Sequence, residues 1–554
     1  MIEKKLELAP IVMNLQEWKH QLELTNYPQA NMIWKYLVNG VKLGNDIPRT
    51  GTRVCRNLPT ACGEYFEGAI SKEMMEECRL GRRAGPFDNI PLHNFQCSPL
   101  GTVPKKNSEK LRVIHHLSYP RNIDNASVNS TISDIECKLV KFSEVLHLVQ
   151  QKGRGCLMAK YDIRNAFRLI RVCIEDQHLL GMLFQSKYYY ELCLPFGLKS
   201  APGLFELFAT AIEAFIHKSG VETVRHYIDD YITISFPVSA QIDYDKVIEM
   251  FKKLNIELAS EKLEKPSTRI EFLGLIIDSD LMKVELPEDK LSRYRVLLEE
   301  WLKKKYCTLQ ELQSLVGKLV FASYAIQHGN IFYRRILGLL KQCKGKEEQG
   351  KHLQIKLNNK ARLDIKWWRE FMYKWNGTNI IPPSLDNYLS VNQHLMFTDA
   401  CRTGMGAFYN NNEYIRHAWN ADELKQAQRE SELSMPYLEL LALIHSINVW
   451  AGSLAGKAVI LNCDCKTVVQ AVNRGRSYDP GMMNLIRILL YITSINSVFI
   501  YLQHIEGVKN IDADLLSRST SSIQSEQYQQ FKDRHRQVSG MKERAIEPLP
   551  TTIW

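Results

Sequence analysis

Hydrophobic and polar positions change their period several times along the chain, and those changes divide it. Residues 1 to about 85 read as mixed and largely helical, ending in the turn-rich Arg82-Arg83-Ala84-Gly85-Pro86. From 86 to 280, short β-branched and aromatic runs alternate with helical ones, the pattern of an α/β unit with several antiparallel strands. Residues 281–390 turn strongly helical. There Thr308-Leu309-Gln310-Glu311 reads as a capping box, and Leu309, Leu312, Leu315, Val316, Leu319 and Val320 form one apolar stripe. The Lys-rich stretch 341–351 predicts an exposed loop, and Pro382-Pro383 marks the next boundary. A new α/β pattern occupies 391–519, with strands predicted at 394–400, 404–409 and 457–463 and a helix at 437–451. Residues 520–554 are rich in Ser, Gln and charge, with few apolar positions, and predict a disordered tail.

Composition narrows the class. The 554 residues carry 71 Lys plus Arg against 61 Asp plus Glu, a net charge of +10, and are 45% hydrophobic. At roughly 150 residues per domain this supports three or four folded units and excludes wholesale disorder. No run approaches the ~20 apolar residues of a membrane span, and the first twenty residues lack a signal peptide's apolar stretch. The expectation is an intracellular chain, in cytoplasm and/or nucleus, without a membrane partner. Of thirteen cysteines only Cys463-x-Cys465 is closely spaced, so neither a disulfide scaffold nor a zinc module is indicated. The basic excess is compatible with a polyanionic partner, although charge alone never establishes one.

Candidate chemistry begins where acids interrupt apolar runs. In Tyr227-Ile228-Asp229-Asp230-Tyr231-Ile232 two carboxylates stand in a β-favouring segment, where an unpaired buried charge is costly. An isolated pair of this kind is most often a solvated turn. Upstream, however, Tyr161-Asp162-Ile163-Arg164-Asn165-Ala166-Phe167 puts another acid at the end of an apolar stretch, and Leu194-Pro195-Phe196-Gly197-Leu198 forms a Gly/Pro turn between the two. This ordered set resembles the palm of reverse transcriptases, from about 95 to 278. Ser98 to Val113 is similar to the fingers, and Glu271-Phe272-Leu273-Gly274 to the primer grip.

The resemblance implies nucleotidyl transfer by two divalent metals, which needs converging carboxylates. Asp162 and Asp229 would be the main ligands, with Asp230 assisting. Lys105 and Arg112 match positions that clamp the incoming triphosphate. Phe167, five positions after Asp162, matches the residue that excludes a ribose 2′-hydroxyl, although a lone Phe reads more simply as core. The Phe196-Gly197 turn would approach the templating pair, and Lys262 corresponds to a basic residue that protonates pyrophosphate.

A second set lies near the C-terminus: Asp399 in a predicted strand, Glu439 in an apolar helix, Asp464 directly after a strand, and Asp514 in Ala513-Asp514-Leu515-Leu516-Ser517-Arg518. Each acid alone is unremarkable. Their order, with Gly404-x-Gly406-Ala407 and Asn510, resembles ribonuclease H over about 395–518, and His504 then matches that family's mobile histidine. The resemblance implies two-metal hydrolysis of RNA in a hybrid.

The expected fold is therefore α/β and α+β multidomain: a right-hand polymerase of fingers, palm and thumb, then a connection and a ribonuclease H-like α/β domain. The helical 281–390 segment would hold the template-primer duplex, with Trp367, Trp368 and Trp375 serving packing rather than stacking on bases. The strings GPFDNIPLHNFQCSPLGTVPKK and KYYYELCLPFGLKSAP resemble tyrosine-recombinase retrotransposons of the DIRS type. The cofactor implied is Mg²⁺ or Mn²⁺, two per active site. The partners are an RNA template, a DNA primer, an RNA-DNA hybrid and dNTPs. Two other readings stay open at this point: a domesticated, inactive nucleic-acid-binding protein, and an RNA-dependent RNA polymerase, against which Phe167 and the second acid set both argue.

Overall fold

The computed structural model describes residues 7–104, 111–121, 126–326, 328–343, 353–374, 378–380, 394–410, 412–429, 432–519, 525–538 and 540–550. Lys105, most of the Lys-rich stretch, Trp375 and Pro382-Pro383 lie outside them. The chain forms two compact units, 1–148 with 155–270, and 149–154 with 271–554.

The first unit is built on an antiparallel sheet ordered Glu264–Ser267, Leu157–Asp162, Asp230–Ser235, Val224–Tyr227. Helices Ala201–Lys218 and Ala240–Lys253 pack on it, and Phe205, Phe208, Phe215, Tyr231 and Phe251 fill the layer between. The N-terminal helices Leu15–Leu24 and Ala30–Asn39 belong to this core. Their apolar positions recur at i and i+4, so Trp18 and Leu22, then Ile33 and Leu37, face inward. Trp18 meets Phe215 edge-on at 5.4 Å. A second sheet, ordered Arg53–Val54, Gln96–Cys97, Gly181–Phe184, Lys187–Glu191, Arg83–Phe87, and the hairpin Leu100–Pro104 with Leu111–His115 complete the unit.

In the second unit, Glu288–Lys303, Leu309–Ala322, Arg334–Gln342 and Asn359–Lys374 are helices. The Thr308/Glu311 capping box forms, with both reciprocal hydrogen bonds made. Leu309, Leu312, Leu315, Val316 and Leu319 are buried as the stripe predicts, whereas Val320, at its margin, is 37% exposed. Trp367 and Trp368 are fully buried, and Trp367 stacks on Phe332 at 3.6 Å. Asp364, also fully buried, pairs with Arg487 at 2.7 Å and so ties the helical segment to helix Pro480–Ile495 of the C-terminal α/β domain.

That sheet has six strands in the order Phe499–His504, Ala458–Cys463, His394–Ala400, Gly404–Tyr409, Glu413–Ala418, Lys542–Glu543. The first three run parallel, and the two hairpin pairings after them are antiparallel. Ala458–Cys463 is buried along its whole length, as a parallel strand covered on both faces must be. Helix Met435–Trp450 packs on the sheet and against Pro480–Ile495.

The expectation of a disordered tail does not hold over 525–538 and 540–550. Glu526–Arg534 is a helix whose Tyr528 and Phe531 bury against Phe408, Tyr414 and Leu516. Lys542–Glu543 then adds to the sheet edge beside Glu413 and Tyr414. Few apolar residues suffice because two aromatics three positions apart share one helix face. Among the described residues no helix is long and apolar enough to cross a membrane.

Candidate active sites

The first site forms where the acidic hairpin meets strand Leu157–Asp162. Pairing places Asp230 directly opposite Asp162, and Asp230 also faces Tyr227 across the hairpin, leaving Ile228 and Asp229 at the tip. Ile228 takes φ +58°, a conformation that β-branched residues rarely adopt and that marks stored strain beside the acids. The Asp229 carbonyl accepts from the Ile163 N–H at 3.0 Å, holding the tip on the neighbouring strand.

Asp162 is 5% exposed, and its Oδ2 accepts from Lys262 Nζ at 2.8 Å. The Ala259 N–H donates to the Asp162 carbonyl and the Lys262 N–H to the Ala259 carbonyl, so the segment carrying Lys262 is fastened to the same strand end. Burial, a hydrogen bond with Asp162 and the charge of Asp229 push the Asp230 carboxyl up to about 7, against the pull of Lys160. Burial, and beyond it the Asp162 charge, raises Asp229, with Lys262 opposing. Two raised carboxyls beside Asp162 in a half-buried corner suit a cation, which would reverse both shifts.

Beside them is a cavity of about 580 Å³ whose lining includes Arg112, Asp162, Asp229, Phe196 and Lys262. Arg112 is exposed on strand Leu111–His115, opposite Val103. Phe167 is half-buried, 5.3 Å from Phe196 and edge-on to Phe205 at 5.7 Å. Gly197 takes φ +90°, and a Cβ there would lie 3.3 Å from the His115 carbonyl oxygen. Its own carbonyl accepts from Asn129 Nδ2 at 2.8 Å.

Two buried networks escaped the sequence reading. Glu191, which also lines the cavity, accepts from Arg83 at 2.6 Å and from Arg168 at 2.7 Å. Burial would raise its carboxyl, but Arg168 and Arg83 hold it down at about 2. Under the hairpin, the His226 imidazole lies between Glu213 at 2.6 Å and Glu206 at 3.2 Å and stacks on Tyr231 at 5.3 Å. Burial opposes its charge, yet the two carboxylates raise it to about 9. The available signal was a pair of acids seven positions apart on the otherwise apolar Ala201–Lys218 helix, hence on one face.

The second site gathers all four C-terminal acids and His504. Asp399, 6% exposed on the central strand His394–Ala400, accepts from Ser517 Oγ at 2.6 Å. Glu439, 6% exposed, comes from the Met435–Trp450 helix, and its Oε2 has no hydrogen-bond partner. Asp464 follows strand Ala458–Cys463, and its carbonyl lies 3.1 Å from His504 Nε2. Asp514, on helix Ile511–Arg518, pairs with Arg518 at 2.7 Å.

Convergence shows in the electrostatics. Burial, then the charges of Asp464 and Asp514, push Asp399 up to about 7 against the Ser517 hydrogen bond. Burial with Asp399 and Asp464 raises Glu439 well above the carboxylate range, and burial with Asp514 raises Asp464. Gly406, opposite Asp399 in the sheet, lets helix Ile511–Arg518 approach: a Cβ there would stand 2.4 Å from Leu516 Cβ and 2.5 Å from the Ser517 nitrogen.

Residues 103–277 match the family described as Reverse transcriptase (RNA-dependent DNA polymerase). Among curated relatives, Polyprotein P3 of Commelina yellow mottle virus is 22% identical over 395 residues, covering 68% of this chain and 19% of the polyprotein. The Transposon Tf2-3 polyprotein of Schizosaccharomyces pombe is 23% identical over 412 residues, covering 71% of this chain and 26% of its own length. The chain thus spans about a fifth to a quarter of these relatives. A solved foamy viral protease-reverse transcriptase in complex with dsDNA is similar at TM-score 0.48 and 17% identity, covering 89% of this chain and 98% of that one. Its counterpart in complex with RNA/DNA hybrid gives TM-score 0.44 and 15% identity over 90% of this chain and 64% of that one. Asp162, Asp229 and Asp230 all fall inside the stretch that matches the reverse transcriptase family.

Proposed function

We propose that this chain is the RNA-directed DNA polymerase of a retroelement, extending a DNA primer with dNTPs on RNA or DNA templates, and that its C-terminal acids hydrolyse the RNA of RNA-DNA hybrids. The observation that carries the first activity is the opposition of Asp162 and Asp230, with Asp229 at the hairpin tip, beside a cavity lined by Arg112 and Lys262. The raised carboxyls of Asp229 and Asp230, and the unpartnered Glu439 oxygen in the second set, fit hard cations with oxygen ligands. Bound by Asp162, Asp229 and Asp230, and by Asp399, Glu439, Asp464 and Asp514, Mg²⁺ or Mn²⁺ would polarise the attacking oxygen and the phosphoryl group.

The chain's own side chains do the rest. Arg112 presents a guanidinium to the triphosphate, with Lys105 as a second cation. Phe167, packed between Phe196 and Phe205, supplies a bulky wall where a ribose 2′-hydroxyl would sit. Lys262, held at the catalytic corner by Asp162, is placed to pass a proton to pyrophosphate as it leaves. In the second site His504, anchored beside Asp464, serves proton transfer or product release. The reading places the protein inside the cell, in cytoplasm and/or nucleus, where its thirteen cysteines form no disulfide. The closer kinship with DIRS-type elements rests on the quoted strings, and a tyrosine recombinase encoded by the parent element would support it.

The test is Mg²⁺-dependent extension of a DNA primer on RNA, with dNTPs and rNTPs supplied separately. Extension with dNTPs that vanishes in Asp229→Asn supports the proposal; extension with rNTPs alone, or binding without extension, overturns it.

A further inference from the structure

The second site differs from an all-carboxylate cluster in one respect. Asp464 is flanked by Cys463 and Cys465, and Cys463 ends the fully buried strand Ala458–Cys463. One donor atom each from Glu439, Cys463 and Asp464 lies within 4.8 Å of the others. With metal–oxygen and metal–sulfur bonds of about 2.0–2.3 Å, ligand atoms around one tetrahedral ion stand roughly 3.3–3.8 Å apart, so small side-chain adjustments close this set on a single cation. A second observation is independent of that spacing. Glu439 is more than nine-tenths buried, yet its Oε2 has no hydrogen-bond partner, an arrangement that costs free energy until something fills it.

Donor chemistry decides which cation fits best. Mg²⁺ prefers oxygen ligands and near-octahedral geometry, whereas a thiolate selects softer ions and suits tetrahedral Zn²⁺. We propose that Glu439, Cys463 and Asp464 form a thiophilic cation site that takes Zn²⁺, with one coordination position left open, in competition with the hard cation of the carboxylate set. On binding, the sulfur–metal bond replaces the S–H bond of Cys463 and the proton leaves to solvent. Zinc held there would occupy Glu439 and Asp464 and so block hydrolysis of RNA. That consequence rests on the proposed hydrolytic function; the binding site does not.

Co²⁺ reports thiolate ligation through a sulfur-to-metal charge-transfer absorption, and it can be titrated into the full chain and displaced by Zn²⁺. The expected result is a band in the wild-type protein that Zn²⁺ abolishes. Cys463→Ser should lose the band and weaken Zn²⁺ binding by more than about tenfold, while Cys465→Ser keeps both. A wild-type protein without a band, a band that survives Cys463→Ser, or an equal loss in Cys465→Ser overturns the site. Circular dichroism shows whether Cys463→Ser folds. If it does not, Asp464→Asn carries the test: it must weaken Zn²⁺ binding by more than about tenfold, or the proposal fails. Zn²⁺ inhibition of RNA cleavage, relieved in Cys463→Ser, tests the consequence separately. Binding without any RNA cleavage by the wild-type protein would sink the hydrolytic reading and leave the zinc site standing.

Discussion

Replacing Gly406 by Ala probes how the second site is assembled. The added Cβ would stand 2.4 Å from Leu516 Cβ, 2.5 Å from the Ser517 nitrogen and 2.6 Å from the Ala513 carbonyl oxygen, where ordinary contact begins at 3.4 Å. Two of those atoms are backbone, so no rotamer change relieves the clash and helix Ile511–Arg518 must retreat by about 1 Å. That retreat carries the 2.6 Å Ser517–Asp399 hydrogen bond out of range. Overpacking of this size costs ~1–3 kcal/mol, and losing a hydrogen bond to a charged group ~1.5–3 kcal/mol, about 4 kcal/mol together. Amide hydrogen exchange followed by mass spectrometry reads this locally. Peptides from Gly404–Tyr409 and Ile511–Arg518 should exchange about a thousandfold faster, since each ~1.4 kcal/mol is tenfold. RNA cleavage should fall with them while primer extension stays at the wild-type rate. Exchange within about threefold of wild type in both segments, or full cleavage activity, would refute the packing argument.

Asp229→Asn should abolish DNA synthesis and spare RNA cleavage, and Asp464→Asn should do the reverse; loss of both activities in both variants would show that two independent sites is the wrong description. The His226 clamp predicts a pH dependence in the first unit. The folded imidazole titrates near 9 rather than 6.5. Its contribution of about 3 kcal/mol is therefore complete below pH ~6.5 and disappears as pH rises through ~9. Glu213, held down at about 2 against burial by hydrogen bonds with His217 and His226, shares the His226 part of that energy rather than adding to it. Denaturant midpoints of wild type and His226→Gln should converge between pH 6.5 and 9.5; parallel curves would contradict the assignment. Arg487→Met leaves Asp364 buried beside Arg335 alone and should cost about 3–5 kcal/mol in the second unit. An unchanged melting temperature would show that the pair contributes nothing to holding the helical segment on helix Pro480–Ile495.

How far the sequence could be read depended on the range of each interaction. The candidate carboxylates were legible as ordered sets: a charge in an apolar run is costly, which drew attention to Asp229-Asp230, but it was their order after Asp162 and the Gly/Pro turn, and the order of Asp399, Glu439, Asp464 and Asp514, that singled them out. The Thr308/Glu311 capping box and the apolar stripe behind it involve partners within one or two turns and formed as expected. The tail failed as an expectation because overall composition carries no information about which helix face two aromatics share.

By itself the sequence determined which residue types were available and in what order along the chain: the acids, the glycines that allow close approach, and the periodicities of strands and helices. Only the tertiary structure decided who meets whom. Sheet register set Asp230 opposite Asp162, and helix packing put Glu206 and Glu213 around His226. Glu191 found Arg83 and Arg168 across separate elements, and Cys463 came within reach of Glu439. The physical reason is that the energy of a buried charge depends on its neighbours in space, and those are chosen by the packing of a whole core rather than by any local run of residues.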